Sequence, residues 1–129
     1  MDAGIYDLYA EFGVDYSVEF EYTENDGTAI NLGQGDLSFY VKKSILPYDT
    51  LFEVHSNGAI VEGVLPFPSS ESGYGTITVS NGVATLQITA ETMDQLQPTT
   101  YFYTLVRHLN GVETMLLKGK FAVEAAWEN

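Results

Sequence analysis

Between Tyr16 and Thr23 the side chains alternate one for one, with Tyr16, Val18, Phe20 and Tyr22 set against Ser17, Glu19, Glu21 and Thr23. Successive side chains of a strand point to opposite faces, so a period of two predicts a half-buried strand. The pattern returns where Leu37, Phe39 and Val41 alternate with Ser38, Tyr40 and Lys42. Leu51-Phe52-Glu53-Val54-His55 runs into Asn57-Gly58, and Ala59-Ile60-Val61 leaves it. Gly75-Thr76-Ile77-Thr78-Val79 meets Val83-Ala84-Thr85-Leu86-Gln87-Ile88 across Asn81-Gly82. Tyr101, Tyr103 and Leu105 precede Asn110-Gly111, and Met115, Leu117, Phe121 and Val123 follow it. Each Asn-Gly pair, and Asn25-Asp26-Gly27 after the first strand, supplies residues that accept the positive φ of tight hairpin turns.

One short helix is predicted near 90–96. Thr89 can cap it, Glu91 and Asp94 suit the positive end of its dipole, and Pro98 stops it. No long amphipathic segment exists, which excludes alternating strands and helices around a parallel sheet. The expectation is one all-β domain over 1–129, an antiparallel β-sandwich with immunoglobulin-like or Greek-key connections. It should have about seven to nine strands, with a small barrel as the alternative. Tyr16, Phe20, Tyr22, Phe39, Tyr101, Tyr103 and Phe121 fall on the apolar phase and are predicted core. Gly63 to Gly73, with Pro66, Pro68 and Ser69-Ser70-Glu71-Ser72, reads as an exposed loop.

Composition narrows what such a domain can do. The chain has 129 residues, 45% of them hydrophobic, which is enough for a packed core without metals or disulfides. It has no Cys, so a disulfide framework, a Cys-based zinc site and a thiol nucleophile are excluded. Eighteen acids against five bases give a net charge of −13, which argues against nucleic acid or an anionic membrane as partner. Residues 1–41 hold nine of the acids and no Lys or Arg. The bases sit at Lys42-Lys43 and across Arg107, Lys118 and Lys120. No secretory signal is expected from Met1-Asp2-Ala3-Gly4, and no apolar run approaches the roughly 18 residues that span a bilayer.

Catalytic signals are missing. His55 and His108 are the only histidines, and both are expected as exposed hairpin residues without a partnered nucleophile. Neither a Gly-x-Ser-x-Gly elbow nor a phosphate-binding glycine loop is present. Glu19 and Glu21 share the polar face of one strand, the ordinary place for charge on a sheet, rather than facing each other as a glycosidase pair. Glu24-Asn25-Asp26-Gly27 lacks the spaced acids of a calcium loop. No catalytic residue, metal ligand or cofactor is therefore expected. The candidate residues are instead those of an interface. Ile5, Tyr6, Leu8 and Tyr9 read as an edge strand open to strand addition. Trp127 and the two tyrosines are aromatic anchors or staples for the chain ends. Lys118 and Lys120 form a basic hairpin suited to an acidic face on another subunit.

Three segments, taken in order, carry a resemblance. They are Val14-Asp15-Tyr16-Ser17-Val18-Glu19-Phe20-Glu21-Tyr22 with Asn25-Asp26-Gly27-Thr28-Ala29-Ile30-Asn31-Leu32; Leu86-Gln87-Ile88-Thr89-Ala90-Glu91-Thr92; and Tyr101-Phe102-Tyr103-Thr104-Leu105 with Met115 to Val123. This order resembles small β-sandwich virion proteins of tailed bacteriophages, including the N-terminal domain of upper baseplate proteins. The chain departs from that pattern between Gly33 and Ser44 and in a longer loop at 63–73, which leaves the attachment point open. The resemblance implies a non-enzymatic structural protein made in the host cytoplasm and carried in the virion. It would belong to the tail or baseplate and act through contacts with other virion proteins, as a homo-oligomer in the particle or with unlike neighbours. The alternatives are a capsid decoration protein and a carbohydrate-binding module for host recognition.

Overall fold

At Asn110 and Gly111 the backbone takes φ values of 53° and 78°, the left-handed pair that closes a two-residue hairpin. This is seen in a computed structural model, which describes residues 4–21, 35–44, 50–57, 63–65, 73–80 and 83–125. The other predicted turn sites, at Asn25-Asp26-Gly27, Gly58 and Asn81-Gly82, lie outside the described residues, as does most of the 63–73 loop. The strands in chain order are β1 Gly4–Ile5, β2 Leu8–Glu11, β3 Tyr16–Glu21, β4 Asp36–Lys42 and β5 Thr50–His55, then β6 Gly75–Ser80, β7 Val83–Ile88, β8 Thr100–Leu109 and β9 Val112–Glu124. One helical turn, α1 Ala90–Met93, precedes β8. Thr89 caps it as expected, its side chain accepting the Thr92 N–H.

The larger sheet runs β1-β9-β8-β4-β5, with β2 following β1 along the same side of β9; the smaller runs β3-β7-β6. The inward residues of both form one core, including Phe20 and Leu86 from the smaller sheet and Leu37, Phe39, Phe52 and Phe121 from the larger. The fold is an all-β sandwich, and its strand order is that of an immunoglobulin-type Greek key. Tyr101, near the start of β8, accepts the Gln97 N–H at 2.8 Å, the tyrosine-corner arrangement of such sandwiches. Phe20, Phe39, Tyr101, Tyr103 and Phe121 are buried and Tyr16 is half-buried against Phe121, while Tyr22 lies outside the described residues.

Two features depart from the expected pattern. The sandwich is not wholly antiparallel, because β1 and β2 pair with β9 in parallel, with Gly4 beside Leu117 and Leu8 beside Phe121. The chain enters on the free edge of its own last strand, running in the same direction. At the interruption between β1 and β2, the Asp7 carboxylate takes the place of a main-chain acceptor and receives the Lys120 N–H at 3.0 Å. The second departure is a register shift in the β8–β9 pairing, where Leu105 pairs with Leu117 but Val106 pairs with Met115. One extra residue on β9, Leu116, reverses the inward phase there. Met115, in the same alternation phase as Leu117, Phe121 and Val123, is 40% exposed.

One buried and one half-buried phenol couple this core to pH. Tyr16 is pushed up to about 12, first by burial and then by Tyr6. Tyr103 is pushed up further by burial, and then by Tyr16, Asp7 and Tyr6. A free phenol ionises near pH 10, so the unfolded chain releases these protons before the folded one does. The stability they carry is whole below about pH 10 and drains as pH rises through about 12. Urea midpoints are expected to fall steeply across that window, and Tyr103→Phe should flatten the slope.

Candidate functional site

The outward phase of the larger sheet gathers residues far apart in sequence. On β8, Phe102, Thr104, Val106 and His108 alternate with the inward Tyr101, Tyr103 and Leu105. Across the pairing with β9 they meet Lys120, Lys118, Met115 and Glu113; across β4 they meet Lys42, Tyr40, Ser38 and Asp36. Lys42, which the sequence places with a separate basic pair, is thereby brought beside Lys118 and Lys120. The three lysines, with Asp7, Phe102, Thr104 and Met115, line a groove of about 500 Å³. Lys118 and Lys120 are exposed and Lys42 is half-buried. Among the described residues none of the three forms an ion pair. Three of the chain's five cationic side chains therefore share one groove with an apolar lining.

The other predicted interface residues separate. Ile5 lies in β1 at the sheet edge, as expected of that segment. Tyr6 and Tyr9 are 60% and 65% exposed. Leu8 is 2% exposed and belongs to the core, so its side chain is not available to a partner. The reason is the β2 pairing, which sends Leu8 and Ala10 inward and Tyr9 and Glu11 outward. Trp127 lies outside the described residues.

Farther along the same face is a polar chain that sequence reasoning missed. Ser38 Oγ lies 2.7 Å from His55 Nδ1 and 3.1 Å from His108 Nε2. His55 Nε2 lies 3.1 Å from Glu53 Oε1, and His108 Nδ1 lies 3.4 Å from Glu113 Oε1. The histidines are thus not independent hairpin residues, as expected from sequence, but clasp one serine from either side. The register explains it, because Ser38 pairs with His55 on β5 and lies diagonal to His108 on β8. Those partners are 17 and 70 residues away, and no local spacing could announce them. Tyr40 packs edge-on against His55 with ring centroids 6.2 Å apart.

The proton arrangement follows from donor counts. If each imidazole donates to its glutamate and is otherwise neutral, two ring acceptors face the single Ser38 hydroxyl proton. The hydroxyl can therefore donate to only one ring at a time.

Glu53, His55 and Ser38 contain the side-chain types of a hydrolase triad, but their setting is different. Ser38 is 2% exposed and sits on β4, an inner strand bonded to β5 and β8 on both sides. A nucleophile needs access and a pair of free N–H donors for the oxyanion, and the backbone beside Ser38 is committed to the ladder. The arrangement ties three strands together on the outer face. Ser38→Ala leaves two ring nitrogens facing a methyl group and is expected to cost roughly 1–3 kcal/mol. Urea unfolding would check it, and a loss well below that range would show that the imidazoles find water instead. Among the described residues no cluster of His, Cys, Asp and Glu is placed to hold a metal ion. Compared with known proteins, the chain matches no family model and no curated sequence.

Proposed function

We propose that this chain is a non-enzymatic assembly protein that docks to its neighbours through the outer face of the larger sheet. The observation that carries this reading is the convergence of Lys42, Lys118 and Lys120 on one groove of a chain with net charge −13. Ammonium groups that form no ion pair among the described residues, beside Phe102 and Met115, suit an acidic surface that also offers apolar contact. Such a pairing gives orientation and speed of encounter more than raw affinity. The setting we propose is the virion of a tailed bacteriophage, in its tail or baseplate, supported by the order of the strand motifs that resembles those proteins.

The test is charge reversal with a fold control. Lys118→Glu combined with Lys120→Glu should leave the circular dichroism and unfolding midpoint nearly unchanged, since both side chains are exposed. The same variant should be lost from assembled particles. Incorporation at the parental level would remove this face as the docking surface. Labelled electron microscopy of the particle would then place the protein, and a position on the capsid rather than the tail would overturn the tail assignment.

A further inference from the structure

We propose that the surface seated against the lysine groove is the acidic end of the same sheet face on a second copy, so that two chains pair about a two-fold axis. This rests on the reading of the groove as a docking site and names its occupant. Outward residues on β9 are Lys118, Lys120, Ala122 and Glu124. Ala122 pairs with Tyr9 on one side and Thr100 on the other, a row without charge. Glu124 pairs with Glu11, and both are exposed. Along the strand the face therefore runs acid, neutral, base, with Lys120 and Glu124 each two residues from Ala122, or roughly 7 Å.

Equal offsets of opposite sign are what an isologous contact needs. An axis lying in the contact plane and crossing the strands at the Tyr9–Ala122–Thr100 row reverses strand direction between the copies. It sets Glu124 of each chain over Lys120 of the other, giving two ion pairs from one operation. Ala122 and Thr100 are small enough for close approach at the axis, and the exposed Tyr9 has its symmetry mate to pack against.

A second observation points the same way. Glu11 and Glu124 stand directly beside each other across the β2–β9 pairing, where like charges are destabilising. Neither has an ion-pair partner among the described residues. With Tyr9, Val14 and Asp15 they line a depression of about 380 Å³. Lys120 of a second copy, set over Glu124, would relieve this repulsion, as Glu124 would offset the positive charge of the groove. A second copy also supplies the acidic and basic surfaces in equal number, which an unrelated acidic protein need not do.

The experiment is sedimentation velocity on the full chain at low and high salt. The parental chain should dimerise at low salt and dissociate as salt is raised, because the pairs are solvent-facing. Lys120→Glu alone and Glu124→Lys alone should each weaken the dimer by more than roughly tenfold. Mixing those two variants should give a one-to-one heterodimer, since both contacts then again join opposite charges. A parental chain that stays monomeric overturns the inference. If Lys118→Glu with Lys120→Glu still abolishes particle incorporation in that case, the groove holds a different acidic protein and the docking reading survives. If neither dimerisation nor incorporation responds to charge reversal, both readings fall.

Discussion

Phe39→Ala is expected to destabilise the fold by about 3–5 kcal/mol, the cost of deleting a fully buried aromatic ring. Phe39 is 0% exposed on β4, between β5 and β8 of the larger sheet. Its ring stacks on Tyr103 with centroids 5.3 Å apart and meets Phe121 edge-on at 6.2 Å. Removing it takes away both ring contacts and leaves a cavity whose walls are held by three paired strands, so collapse can fill little of it. Total stability of a domain is of the order of 5–15 kcal/mol, so this single change consumes a large share. The urea midpoint should fall sharply with the slope unchanged, since the area exposed on unfolding hardly alters. A loss below about 1.5 kcal/mol would mean the two sheets can close over the gap and the core is less rigidly held than its ring contacts imply.

Phe39 also marks how far the sequence could be read. Its alternation with Ser38 and Tyr40 gave the strand and its inward phase, and Leu37, Phe39 and Val41 are all 0% exposed. Tyr16, Val18 and Phe20 likewise face inward while Ser17, Glu19 and Glu21 face out. The Asn110-Gly111 turn was equally legible, because few residue pairs accept two positive φ values. These features are local: they depend on residues next to one another, and alternation reports them directly.

What the sequence hid is set by register between distant strands. The Glu53–His55–Ser38–His108–Glu113 chain and the meeting of Lys42 with Lys118 and Lys120 both require knowing which strand lies beside which. Alternation assigns a residue to a face, but not to a neighbour. A bulge defeats even the facing rule, which is why Met115 emerges from a run that reads as continuously inward. Leu8 failed as an interface candidate for a related reason: an edge strand still has one face on the core. The parallel pairing with β9 that fixes its phase does not show in the sequence.

Gly119→Ala is expected to strip the N-terminal strands from the sheet, through a contact that only the pairing reveals. A methyl group at this position would sit against the Tyr6 carbonyl oxygen, well inside van der Waals contact, and the obstructing atom is backbone that cannot swing aside. The same oxygen accepts the hydroxyl of Tyr103, which lies opposite Gly119 in the β8–β9 register and reaches past it. Glycine here lets the first strand approach β9 and lets the phenol clamp it. With β1 and β2 displaced, Leu8 returns to water at a cost of about 2–3 kcal/mol, and the buried Tyr103 hydroxyl loses its acceptor at roughly 1–3 kcal/mol more. Hydrogen exchange should show the amides of residues 8–11 losing protection while those of β4 and β8 keep theirs, because the remaining strands pair without help from the N-terminus. Uniform loss across both sheets would instead make the N-terminal strand an integral part of the fold. Since Tyr9 and Glu11 ride on β2, the same substitution should also weaken the salt-sensitive dimer, even though it leaves Lys120 and Glu124 in place on β9.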